Sequence, residues 1–289
     1  MTPAPTRVDS HHHLWDLAGR PMPWIDPVDM ATIARSFDVA DLAEVTARSA
    51  IAHTVLVEAA SVVEETEELL AMADREPLIS GVVGFLDLTA PDVEVEIDRL
   101  RALPGGDRLV GIRSPVQDEP DPNWLLRPDV IAGLRAVAAR GLVYDLLLLP
   151  PQIEAATSAV AQVPDGRFVL DHLAKPGIVD GQWEPWASAV AVLAEHAHVS
   201  CKLSGMVTEA DWGHWTIDDL RPYAAHVVEQ FGPDRILFGT DWPVCTLAAS
   251  YDTVVDVAEQ LTASLSDSER AAIFGGNATR VYALAHRTP

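Results

Sequence analysis

The chain has 289 residues, 48% of them hydrophobic, with 43 acidic against 20 basic side chains and a formal net charge of −23. That charge excludes partners gripped by clustered Lys and Arg, nucleic acid and anionic membrane surfaces alike, and reads as a solubility feature. No run of about 18 uncharged apolar residues offers a membrane span, two cysteines cannot build a disulfide framework, and residues 1–7 lack the basic-then-apolar order of a secretion signal, so a cytoplasmic protein is expected.

The first β-rich run, residues 7–13, ends in Ser10-His11-His12-His13. Strand side chains alternate faces, so His11 and His13 project together and His12 points away. Similar runs follow at 54–59, 79–86, 109–113, 143–147, 167–171, 199–203 and 235–239, eight in all. Helical spacing fills the intervals. Leu69, Leu70 and Ala73 share a face of 63–74, Val93, Ile97 and Leu100 share a face of 93–103, and 128–140, 152–162, 185–196 and 220–231 continue the series. Alternation of this kind implies a parallel sheet. Eight units fit one α/β domain over 1–289, a distorted (β/α)8 TIM barrel with its core at about 7–282 and a loose tail after Tyr282. An open doubly wound sheet would carry a Gly-rich phosphate turn after its first strand, where the three histidines stand. Two segments interrupt the rhythm as rim excursions: 16–41, with Pro21, Pro23, Trp24 and Pro27, and 116–127, with Trp124.

Barrel enzymes place their chemistry at the carboxyl ends of the strands, so the polar residues ending apolar strands are the ones to collect. They are His11 and His13 on the first strand, Glu58 on the second, Arg113 with nearby Gln117 after the fourth, and Asp145 on the fifth. His172 with Lys175 follows on the sixth, Lys202 and Ser204 on the seventh, and Asp241 on the eighth. His-x-His alone is a weak motif; its pairing with Gly239-Thr240-Asp241 at the end of the last strand gives it weight. Trp15, Trp212, Trp215 and Trp242 lie close enough in sequence to floor a pocket for a ring with an apolar face. His53, His196, His198, His214, His226 and His286 sit on or near helices and loops and read as solvated or structural, and Cys201 and Cys245 as ordinary thiols.

The chain resembles the amidohydrolase superfamily, and within it the branch of sugar-acid lactonases. The markers are residues 9–16 (Asp9 to Asp16), Gly111-Ile112-Arg113, Gln117-Asp118-Glu119-Pro120, Asp171 through Pro176, Cys201 through Gly205, Phe238 through Pro243, and Ile273 through Ala278. The resemblance implies a hydrolase that opens a lactone ester, with His11, His13, His172 and Asp241 at catalytic positions and Arg113 at a position that holds substrate polar groups. Glu58, Gln117, Asp145, Lys175, Trp15, Trp212 and Trp242 complete the expected substrate-binding set. Many superfamily members carry a bridging lysine where Arg113 stands, so a binuclear metal centre is not expected.

In the expected chemistry Asp241 takes a proton from water and the histidines stabilise the tetrahedral oxyanion. His11, His13 and Asp241, with His172 as a fourth, could also supply N,N,O ligands to one divalent cation, zinc by preference; a metal-free site and a homo-oligomer are both left open. The substrate expected is a neutral sugar lactone such as L-fuconolactone, because a strongly acidic protein repels a dicarboxylate at long range. Two readings compete: a metal-dependent decarboxylase of an aromatic acid on the same barrel, and a barrel that binds a sugar without turning it over.

Overall fold

The computed structural model describes residues 6–285. Eight parallel strands run in sequence order around one sheet: β1 (Val8–His12), β2 (His53–Val57), β3 (Ile79–Gly84), β4 (Leu109–Arg113), β5 (Val143–Leu146), β6 (Arg167–Leu170), β7 (Val199–Leu203) and β8 (Ile236–Phe238). The seam between β8 and β1 closes just past the strand ends, where Asp241 N–H donates to His11 O at 2.8 Å and His13 N–H to Trp242 O at 2.7 Å. Helices follow the strands: α1 (Val39–Arg48), α2 (Val63–Arg75), α3 (Val93–Arg101), α4 (Pro128–Ala139), α5 (Ile153–Ala161), α6 (Trp186–Ala194), α7 (Ile217–Phe231) and α8 (Tyr251–Leu261), with short α9 (Asp267–Ala271) and α10 (Asn277–Val281) at the end. This is a (β/α)8 barrel, as the alternation predicts.

Two apolar layers hold it. Between strands and helices lies a continuous core that includes Leu42, Leu56, Leu70, Ile97, Leu134, Val190 and Phe238. Inside the barrel a smaller one gathers Val8, Val55, Val57, Val83, Val143, Val169 and Leu237 against Ala278, Val281, Tyr282 and Leu284. The C-terminal helix therefore plugs the end of the barrel opposite the carboxyl ends of the strands. Tyr282 is buried, and so is Leu284 beyond it, which corrects the expectation of a loose tail after Tyr282; His286 lies outside the described residues.

Other differences are local. The excursion expected over 16–41 ends earlier, because Asp38 and Asp41 form a reciprocal cap that starts α1 at Val39. A second such box, Thr216 with Asp219, starts α7 three residues before the expected 220. The rim segment 116–127 holds two short 3-10 turns, Val116–Asp118 and Trp124–Leu126. Among the described residues no helix is long and apolar enough to cross a membrane.

Candidate active site

Asp9 is the knot that ties the first strand to the last. Fully buried, it accepts four hydrogen bonds: from His11 N–H at 3.1 Å, Thr240 N–H at 2.9 Å, Thr240 Oγ1 at 2.6 Å and Tyr251 OH at 3.0 Å. Burial pushes its carboxyl up to about 6 against the pull of these donors. The clamp holds Thr240, the residue before Asp241; Asp241 itself has a left-handed φ of 59°, a conformation that costs a residue with a side chain roughly 1–2 kcal/mol. A second strained element carries His172. Residues His172, Leu173, Ala174 and Lys175 all have φ between 49° and 57°, one left-handed turn closed by Lys175 N–H to His172 O at 2.7 Å and pinned by Trp186 Nε1–H to Leu173 O at 2.7 Å. Strain of this kind persists only where the surroundings dictate it, and it gathers at functional sites.

These elements bring the two strand ends and the turn together. Asp241 Oδ1 lies 3.4 Å from His13 Nε2, 3.7 Å from His11 Nε2 and 3.8 Å from His172 Nε2. His11 Nε2 and His13 Nε2 are 3.2 Å apart, whereas His12 turns away to Thr54 Oγ1 at 2.9 Å, as the strand alternation requires. The outer nitrogens are tethered: His13 Nδ1–H donates to Val57 O at 2.9 Å, and His172 Nδ1 meets Ser204 Oγ at 2.9 Å. Burial pushes the His172 imidazole down to about 4 and, with the Lys202 ammonium beside it, holds His11 well below the ordinary histidine range. Burial would raise the Asp241 carboxyl, but the neighbouring His172, His13 and His11 outweigh it and hold the group well below the usual carboxylate range. At neutral pH the site is an anionic carboxylate facing the neutral imidazoles of His11 and His172.

Beneath this layer lies a buried ionic network. Arg113 donates through Nε to Glu58 Oε1 at 2.6 Å, through Nη2 to Glu58 O at 2.6 Å and through Nη1 to Asp171 Oδ2 at 3.1 Å. Lys202 Nζ sits among Asp145 Oδ2 at 2.6 Å, Asp171 Oδ1 at 2.9 Å and His11 Nδ1 at 3.0 Å. Tyr282 OH donates to both oxygens of Asp145, Oδ2 at 2.8 Å and Oδ1 at 2.9 Å. The cations hold Asp171 well below its ordinary range in spite of burial, while burial raises Asp145 to about 6.

Above the carboxylate opens a cavity of about 590 Å3, lined by His13, Glu58, Arg113, Gln117, His172, Lys175 and Asp241 on the strand side and by Met22, Trp24 and Val62 on the rim side. The residues gathered from the sequence thus fall into three groups. His13, His172, Asp241, Glu58, Arg113, Gln117 and Lys175 face the cavity. His11, Asp145 and Lys202 lie below it, fully buried. Trp15 and Trp242 are buried and do not line it; Trp212 is exposed, with its Nε1–H on Thr208 O at 2.9 Å. The aromatic wall is Trp24 instead, 41% exposed and held by Nε1–H to Ala59 O at 2.9 Å. Its only sequence signal was its place in the Pro-rich excursion. His53 and His226 are structural, bonded to Ser80 Oγ and Ala187 O, and both cysteines are buried.

The donor set fits a single divalent cation. His11, His172 and Asp241 offer ligand atoms all within 4.8 Å of one another. His13 adds a fourth, and its outer N–H on a backbone carbonyl is the orienting bond that ligating histidines usually make.

The profile of the amidohydrolase family matches residues 8–284. The chain is 36% identical over 282 residues to an L-fucono-1,5-lactonase of Burkholderia ambifaria and 37% identical over 289 residues to one of Burkholderia multivorans, each alignment spanning 96% of both proteins. A crystal structure of an amidohydrolase from Burkholderia multivorans with bound zinc superposes with a TM-score of 0.92 at 36% identity, over 97% of this chain and all of that one.

Proposed function

The chain belongs to the amidohydrolase family, and from that premise we propose that it is a single-domain hydrolase that opens a sugar-acid lactone to the free acid. L-fucono-1,5-lactone, the substrate in its relatives' name, is the first choice. The observation that carries the reading is the Asp241 carboxylate at the floor of the cavity, within 3.4–3.8 Å of three imidazole nitrogens.

Lactone hydrolysis needs a base for water, stabilisation of the carbonyl oxygen as it becomes negative, and a proton for the departing ring oxygen. Asp241 takes the proton from a water seated between it and the carbonyl carbon. The hydroxide adds, the C–O bond to the ring oxygen breaks, and Asp241 returns the proton to the leaving alkoxide. His172, facing the cavity with Nδ1 on Ser204 Oγ, stabilises the tetrahedral oxyanion through Nε2–H; His13, its ring N–H on Val57 O, and His11 behind it lie against Asp241. Arg113 has five N–H donors, three of them committed to Glu58 and Asp171 and a fourth turned to His11 Nε2; the remaining one orients a substrate oxygen, with Lys175 and Gln117 on the same wall. A zinc ion, as in the Burkholderia multivorans neighbour, would be held by His11, His13, His172 and Asp241 and would supply Lewis-acid polarisation and a more acidic water.

The substrate is a neutral lactone rather than a dicarboxylate. Arg113 is neutralised by its carboxylate partners and Lys175 stands 3.8 Å from Glu209, so the mouth has no unpaired cation pair for two carboxylates among these residues. Acid release from fucono-, rhamnono-, galactono- and arabino-lactones in weak buffer, each against an enzyme-free blank, tests the reading. Turnover of at least one lactone well above its blank supports it, and no turnover of any overturns it.

A further inference from the structure

Glu65 has no place in the chemistry above, yet it is a carboxyl residue only 3% exposed. It stands in the first turn of α2, whose N-cap, Val62, offers no side-chain cap. An acid there ordinarily reaches back to the N–H of the N-cap. Glu65 reaches further, into the loop that joins β2 to α2: its Oε2 accepts from Ala59 N–H at 2.9 Å and from Ala60 N–H at 2.8 Å. The other backbone groups of that stretch are also committed. Glu58 N–H donates to Val83 O, Glu58 O accepts from Arg113 Nη2, Ala60 O accepts from Val62 N–H, and Ala59 O accepts from Trp24 Nε1–H at 2.9 Å.

Ala59 O and Ala60 N–H belong to one peptide group. Its carbonyl end is held by the Trp24 indole and its amide end by Glu65, so turning that peptide breaks both bonds at once. Trp24, Ala59, Ala60 and Val62 line the cavity above Asp241, whereas Glu65 does not. Trp24 is 41% exposed and otherwise stands edge-on to Trp15, ring centres 5.5 Å apart at 90°. Glu58 is secured separately by Val83 and Arg113, so losing the Glu65 carboxyl frees the loop and Trp24 but leaves the ionic network below in place. We propose that Glu65 is a positioning residue that acts through the Ala59–Ala60 peptide to fix Trp24, and with it the wall against which the lactone ring packs. The role of the wall rests on the lactonase reading; the hold of Glu65 on Trp24 does not.

Three substitutions separate the parts. Glu65→Gln keeps an oxygen for the two N–H groups, and because burial pushes the carboxyl up to about 7, a neutral amide is a close stand-in. Glu65→Leu keeps the bulk and removes the acceptor; Trp24→Phe keeps a ring and removes its N–H. In 1H–15N spectra the Trp24 indole signal, assigned by its loss in Trp24→Phe, should lie downfield and exchange slowly in wild type and in Glu65→Gln. In Glu65→Leu it should move upfield and exchange about 10-fold faster, as for a lost hydrogen bond. A signal unmoved in Glu65→Leu overturns the proposal. Should that variant not fold, Glu65→Asp, whose carboxyl falls a methylene short of the loop, carries the same test. The spectrum needs no substrate, so it decides the matter even if wild type opens no lactone. On L-fucono-1,5-lactone, Glu65→Leu should raise KM roughly 3- to 10-fold with kcat within about twofold of wild type, the pattern of a lost contact made equally in ground and transition states, and Glu65→Gln should restore KM. Trp24→Phe should raise KM similarly, and the Glu65→Leu, Trp24→Phe double variant should do no worse than the worse single. Effects on KM that multiply in the double variant, or a KM unchanged in Glu65→Leu, overturn the proposal.

Discussion

Replacing Arg113 with Met tests how the buried charges beneath the site are balanced. The guanidinium side chain is 5% exposed, its partners Glu58 and Asp171 1% and 0%, and it satisfies both carboxylates and the Glu58 carbonyl at 2.6–3.1 Å. Methionine fills most of the volume but leaves Glu58 with no cation; Asp171 keeps Lys202 at 2.9 Å. Removing one member of a buried pair costs about 3–5 kcal/mol, most of it from the stranded charge. At about 0.6 kcal/mol per kelvin of unfolding entropy for a chain of this length, the melting temperature should fall by roughly 5–8 °C. Adding Glu58→Gln removes the stranded charge, and the double variant should recover about 2 kcal/mol, within the range measured for directly contacting pairs. Thermal and urea unfolding of the four proteins of the cycle supply the numbers. A single variant that melts within about 1 °C of wild type, or a double variant that loses the sum of the two singles, would refute the view that these charges hold one another.

Gly205→Ala should disturb the site from behind. Gly205 has φ of 67°, and a Cβ there would lie 2.6 Å from His172 Nδ1, so the ring must move; kcat should fall about 10- to 100-fold with a stability loss of about 1–2 kcal/mol, and an unchanged kcat would show that the ring position is not critical. Stability should also depend on pH in two stages. His12 and His172, pushed down to about 3 and 4, stay neutral in the fold while the unfolded chain takes protons below about 6.5, so they lose stability as pH falls. Asp9 and Glu65, pushed up to about 6 and 7 by burial, hold protons in the fold that the unfolded chain has released above about 4, so they gain stability over the same interval. The two pairs offset between about pH 6 and 4.5, and His11 and Asp145 add one shift to each side. Below about 4 the gain is exhausted, and Asp171 and Asp241, held low in the fold, join the loss. Urea midpoints should be nearly level to about pH 4.5 and then drop steeply; a steady fall from pH 6.5 would mean that Asp9 and Glu65 are ionised inside the protein.

What the sequence could convey was periodicity, and the fold and the seam are periodic facts. Alternation along 8–13 separates His12 from His11 and His13, and eight apolar runs with helical spacing between them close into a barrel that sets those histidines beside Asp241. The left-handed turn at His172–Lys175 was not legible: it contains no glycine, and only the packing of Trp186 and the mouth of the barrel impose it. Nor could the strand-end residues be sorted by depth. Asp145 and Lys202 point into the barrel as Arg113 and Glu58 do, but their position relative to the rim, which decides whether a charge meets substrate or another charge, depends on strand stagger. Trp24 was passed over for Trp15 and Trp242 because nearness in sequence to the histidines is a poor guide to which aromatic crosses the mouth.

The central claim is that Asp241 is the base that activates water, and Asp241→Asn addresses it directly, since asparagine keeps the shape and removes the proton acceptor. At saturating L-fucono-1,5-lactone, corrected for the blank, kcat should fall at least about 100-fold, with melting temperature and far-ultraviolet circular dichroism close to wild type. A variant that turns the lactone over at a near-normal rate would contradict the account.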